Sequence, residues 1–184
     1  MEALFKEIAT QYNGNYSVTE SSWYNGHAYL PLYSYSLTFS HKEWDFKIRH
    51  EFRSSEFTKP KAVNLGSFAD RHLFDINVSK SNTDFPNFEI VTPSFFAKLI
   101  GWGRTRNFKV KSSNTSLIRY CSNNPQLVAV CEYVNLDAEF SPQFIGVNKS
   151  RNYNLTIRYA TQQKRVDLLK NLLDFLTQIP SIKI

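Results

Sequence analysis

The sequence predicts a single α+β domain spanning residues 1–184, built on a twisted antiparallel sheet whose dry face is covered by helices. Three observations carry that reading. Two alternating runs joined by a short polar turn occupy residues 33–53. A long amphipathic stretch precedes the C-terminus. Aromatic residues, which suit half-buried pleated surfaces, make up 15% of the chain.

Taken in order, Leu4, Phe5, Ile8 and Tyr12 recur at helical spacing, and Asn13-Gly14 supplies a stop, which predicts a helix over 2–12. The period then changes to two. Tyr33, Tyr35, Leu37 and Phe39 alternate with small polar residues, Ser40-His41-Lys42-Glu43 forms the turn, and Trp44, Phe46, Ile48, His50 and Phe52 alternate with charged residues. Such a pair reads as a hairpin with one dry and one wet face. Asp45 and Glu51, interleaved on the wet face with Lys47, Arg49 and Arg53, read as structural charges facing opposite charges across strands.

Residues 54–70, with Pro60 and Gly66, read as a long loop. Strand patterning resumes at His72, Phe74, Ile76 and Val78 and again over 88–91. Pro93-Ser94 opens a short helix over 95–100 that Gly101 closes, and Phe108 and Val110 mark another strand. Residues 114–122 read as a helix, and Asn124-Pro125, an N-cap followed by proline, restarts a second one carrying Leu127, Val128, Val130, Cys131 and Val134. These helices form a small lobe around 94–134 at one end of the sheet. Strands follow at 144–147 and 153–159, for a total of about six to eight. The chain closes with a helix over 162–178, in which Val166, Leu169, Leu172, Leu173, Leu176 and Ile179 make a stripe that must bury against the sheet.

The composition excludes several classes. Two cysteines, Cys121 and Cys131, both in apolar helical stretches, do not make a disulfide framework and read as small core hydrophobes. The start of the chain lacks a basic region followed by an apolar one, and no apolar run is long enough to span a bilayer, so a soluble, cytoplasmic protein without a transmembrane segment is expected. The formal charge of +6 is scattered along most of the chain.

No catalytic or metal-binding residue is assigned, and no cofactor. His27, His41, His50 and His72 fall in no zinc spacing; His50 and His72 sit on the apolar registers of their strands, where histidine is usually a hydrogen-bonded core residue, and His41 sits in the turn. There is no nucleophile elbow, and Gly101-Trp102-Gly103 matches no phosphate loop. One cluster is non-random: Lys98, Arg104, Arg106, Lys109 and Lys111, with Trp102 and Phe108 among them and no acid in the segment. A basic, tryptophan-bearing loop of this kind suits a phosphate, single-stranded nucleic acid or an acidic lipid surface. Lys98, Trp102, Arg104, Arg106 and Lys109 are therefore the candidate anion-binding residues.

The stretch Phe88-Glu89-Ile90, then Phe95-Phe96-Ala97-Lys98-Leu99-Ile100-Gly101, then Phe108-Lys109-Val110-Lys111 leading into Leu117-Ile118-Arg119-Tyr120 is similar to a recurrent pattern in a family of uncharacterised bacterial α+β proteins. In that pattern a strand enters a short helix, and a further strand precedes two helices split by a polar break, here Ser122-Asn123-Asn124-Pro125-Gln126. The resemblance spans about residues 12–135 and implies a fold rather than an activity. Members often carry an acidic stretch after the glycine; here Asn107-Phe108-Lys109 is basic, so no role for those acids transfers.

Three functional readings follow. The foremost is a non-enzymatic interaction or ligand-binding domain, with a protein partner or self-association as one form of it. The second is an anion-binding module using loop 98–111. The third is an enzyme with a dispersed site that no motif reveals.

Overall fold

The computed structural model describes residues 1–24, 29–54, 71–93, 108–137 and 139–182. Helix α1 (Glu2–Gln11) buries Leu4, Phe5 and Ile8, and its first turn carries an Glu2–Lys6 ion pair at 2.8 Å. The expected stop is real, with divided labour. Asn13 takes the left-handed φ of 51°, and the Gly14 amide donates back to the Ala9 carbonyl at 2.8 Å. Gly14 is required for space, because a Cβ there would stand 2.8 Å from that of Phe39.

Among the described residues eight strands follow: β1 (Asn15–Tyr24), β2 (Tyr29–His41), β3 (Trp44–Arg53), β4 (Arg71–Lys80), β5 (Phe88–Val91), β6 (Lys109–Ser112), β7 (Gln143–Lys149) and β8 (Asn152–Thr161). They form one sheet in the order β1-β2-β3-β4-β8-β7-β5-β6, antiparallel throughout. The predicted hairpin is β2–β3, with a tighter turn than expected. Ser40 and His41 stay in the ladder opposite Asp45 and Trp44, leaving Lys42 and Glu43 with φ of 50° and 64° as a two-residue turn. That doubly left-handed geometry matches the twist of the flanking strands. Ser150 and Arg151 repeat it between β7 and β8.

The dry face carries Leu37 and Phe39 of β2, Phe46 and Ile48 of β3, Ile76 and Val78 of β4, and Leu155 and Ile157 of β8, all in one core with the helices. Helix α4 (Val166–Gln178) lays Leu168, Leu169, Leu172, Leu173, Phe175 and Leu176 into that core. It begins at Val166 rather than 162, because Thr161 ends β8 and Gln162 spends its amide on the Asp137 carboxylate at 3.0 Å. Lys170 of α4 reaches Glu7 of α1 at 3.6 Å.

Helices α2 (Thr115–Asn123) and α3 (Pro125–Glu132) pack at the β6 end and against α4, where the lobe was expected. Asn114 and Asn124 cap them, accepting from Leu117 N at 2.8 Å and Leu127 N at 3.0 Å. The Asn124 amide also donates to Tyr120 Oη at 3.2 Å and Gln178 Oε1 at 3.1 Å, joining α2, α3 and α4. Cys121 and Cys131 are both buried and outside any disulfide, as read from the sequence.

The wet face holds its charges in pairs. Asp75 faces Arg158 across β4–β8 at 3.3 Å. Glu51 departs from expectation: its partners are Arg49 at 2.8 Å and Arg53 at 3.6 Å on its own strand, two positions away on the same face. Asp45 departs as well: it stands between Ser40 and Ser79 rather than opposite a cation, and it accepts from Ser40 Oγ at 2.6 Å.

Candidate functional site

Of the expected anion-binding residues, Lys98, Trp102, Arg104 and Arg106 lie outside the described residues, as do the helix expected over 95–100 and all but the first residue of the loop expected over 54–70. Lys109 opens β6 opposite Val91 and is exposed. Lys111 stands opposite Glu89 and pairs with it at 3.0 Å, so an acid from the neighbouring strand meets a cluster that has none of its own.

The arrangement richest in chemistry lies elsewhere. The β3–β4 register sets His50 opposite Phe74 and Phe52 opposite His72, which makes the two histidines diagonal neighbours on the dry face. His50 Nε2 and His72 Nδ1 are 3.0 Å apart. His50 lies between ring faces, with Tyr35 at 5.3 Å and Phe74 at 4.4 Å between centroids, and Phe52 stacks on His72 at 4.7 Å. Both histidines belong to the buried set.

These rings floor a cleft of about 490 Å³ where the helices stop short of the sheet end. Its rim is Met1 of α1's cap and Gln162, Gln163 and Lys164 of the turn leading to α4. Among the described residues the lining divides cleanly: the rings of Tyr35, Phe52 and the histidines, their faces turned to one another, on one side, the Gln162 and Gln163 amides and the Lys164 ammonium on the other, and no carboxylate. Burial above all, and then the adjacent His72, hold His50 down to about 3, so it is neutral at physiological pH. His50 Nδ1 is buried without a hydrogen-bond partner.

A groove of about 460 Å³ on the wet face is a weaker candidate, because its charges neutralise one another: Arg49 with Glu51, Arg158 with Asp75, and Arg71 with Glu139 at 3.1 Å. His41 is half-buried with its ring against Tyr12 at 5.3 Å, and burial, then Lys42, lower its pKa. His27 lies outside the described residues. Among the described residues no group of three or more His, Cys, Asp and Glu side chains is placed to hold a metal ion, and no helix is long and apolar enough to cross a membrane.

Sequence reasoning placed His50 and His72 on apolar registers but did not join them, because which strands neighbour each other is not written in the local pattern. Lys164 and Gln162 were assigned to the start of the last helix. The only signal for a turn there was the absence of an apolar residue between Ala160 and Val166.

Comparison with protein-family models, with curated proteins and with solved structures found no match to this chain.

Proposed function

We propose that the protein is a non-enzymatic ligand-binding domain that takes a small planar aromatic acid in the His50–His72 cleft. The observation that carries this reading is the pairing of a floor of aromatic rings with a rim that, among the described residues, holds Lys164 and no carboxylate. A flat ring packs against the exposed edges of Phe52 and His72, replacing water on apolar surface, and its carboxylate meets the Lys164 ammonium and the Gln162 and Gln163 side chains. The cleft volume falls in the range of small-molecule sites, roughly 300–1,000 Å³. Each imidazole has a nitrogen committed to the other, which supports a binding role for the pair over proton transfer to a substrate. Two buried thiols outside any disulfide fit a reducing compartment, and we place the protein in the cytoplasm on that ground.

Calorimetric titration tests the reading with benzoate, cyclohexanecarboxylate and benzamide as probes. Benzoate should bind most tightly. Lys164→Gln should weaken benzoate about tenfold, the worth of a charge-assisted hydrogen bond, and leave benzamide unchanged. Equal affinity of the variant and the parent for benzoate, or no binding of any probe, overturns it.

A further inference from the structure

The two edges of the sheet differ in a way that bears on association. At one edge β6 has four residues, two of them lysines, Lys109 and Lys111. A short, lysine-bearing strand is a standard defence against pairing with another chain. At the other edge β1 has ten residues in unbroken register with β2, without a bulge, proline or basic residue. Among the described residues β2 is its only strand partner. The same hairpin carries three exposed large apolar side chains, Val18 at 44%, Tyr24 at 58% and Tyr29 at 75%.

We propose that β1 is a self-association edge, pairing antiparallel with β1 of a second copy of this chain about a two-fold axis through Val18. Such an interface must be self-complementary, since each residue meets its counterpart in reverse order. Centred on Val18, the register sets Val18 against Val18 of the second copy, covering an exposed apolar side chain with its equal. Glu20, the only charged residue of β1, then faces Tyr16 of the second copy. The Lys6 ammonium lies 5.9 Å from the centre of the Tyr16 ring, so Glu20 arrives beside a cation that it would share with Glu2. A register centred on Glu20 would oppose two carboxylates, and like charges directly opposite destabilise a strand pair. A different protein with a complementary strand would have no need of this symmetry, which is why the second copy is the occupant we assign. The paired edges would make one continuous sheet through both molecules.

Light scattering after size exclusion reads the result directly. The full chain should run at twice 21.4 kDa. Val18→Lys, which places two ammoniums on the axis, should halve the mass while circular dichroism and melting at low concentration stay unchanged, because residue 18 is exposed in the single chain. As a check on register, Val18→Cys should form a disulfide-linked dimer under mild oxidation and Ser22→Cys should not. A parent chain that stays at 21.4 kDa up to its solubility limit overturns the proposal, as does a folded Val18→Lys variant that keeps the doubled mass.

Discussion

His50 Nε2 and His72 Nδ1 lie 3.0 Å apart with their rings within 8° of parallel, in the buried end of the dry face. A hydrogen bond at that distance uses the lone pair and N–H in the ring planes, so the rings meet edge to edge. Because His50 Nδ1 has no partner, the cheaper tautomer puts the His50 proton on Nε2, donating to His72, and leaves an unpaired acceptor rather than an unpaired donor.

The pair makes stability depend on pH in one direction. Burial lowers His50 from 6.5 to about 3 in the folded chain, while in the unfolded chain it titrates at its ordinary value. The unfolded state therefore binds the extra proton first, so stability is complete above 6.5 and falls as pH drops toward 3. At about 1.4 kcal/mol per unit, the first two units below the ordinary histidine value should remove about 2–3 kcal/mol. Urea unfolding as a function of pH measures it, and His50→Phe, which keeps the ring between Tyr35 and Phe74, should flatten most of that slope.

Asn124 works twice, as the cap of α3 and as an amide donating to both Tyr120 and Gln178, which are also joined directly, Tyr120 Oη donating to Gln178 Oε1 at 3.0 Å. Asn124→Ala should cost about 2–3 kcal/mol, lowering Tm by about 4–10 °C. Asn114→Ala, which removes a cap alone, should cost about 1 kcal/mol. Equal losses in thermal melts of the two variants would show that the bridge contributes nothing.

Gly146 and Tyr153 share one small space. A Cβ at Gly146 would fall on the Tyr153 hydroxyl and stand 3.1 Å from Phe88, and that hydroxyl is buried without a partner. Tyr153→Phe should thus be neutral or stabilising by about 1 kcal/mol, since it removes an unsatisfied polar group. Gly146→Ala should destabilise the parent strongly and the Tyr153→Phe background much less. A double-mutant cycle in denaturant gives the coupling.

The thiols should be silent. Burial pushes Cys121 up to about 12, far from the thiolate that reacts. In native buffer at mildly alkaline pH a colorimetric thiol reagent should find none, and in guanidinium it should find both cysteines. Rapid native labelling of either one would contradict the packing.

The features legible in sequence were those with two unlike faces. β3 and β8 alternate dry and wet residues, so the period of two survives in the text of the chain, and α4 shows its stripe for the same reason. β1 was not legible as a strand. It is an edge exposed on both sides, with Ser17, Thr19 and Ser21 on one face and Val18, Glu20 and Ser22 on the other, and no burial contrast writes a period into it. The cleft was half legible: the histidines were placed on the dry register, but their contact depends on β4 adding to β3 in a register that joins Phe52 to His72. The candidate loop contributes only its β6 end to the described residues.

The place of β8 has a consequence for how the chain folds. Strands β1 to β4 form a simple meander in chain order, and β5, β6 and β7 form a second group; among the described strands the two groups are joined in the sheet by β8, which pairs with β4 on one side and β7 on the other. Without β8, each of the two half-sheets would keep an edge that this one strand pairs in the folded chain. The joining of the two groups is therefore one long-range event, the kind of pairing that is slow because its loop-closure entropy is spent before the contacts form.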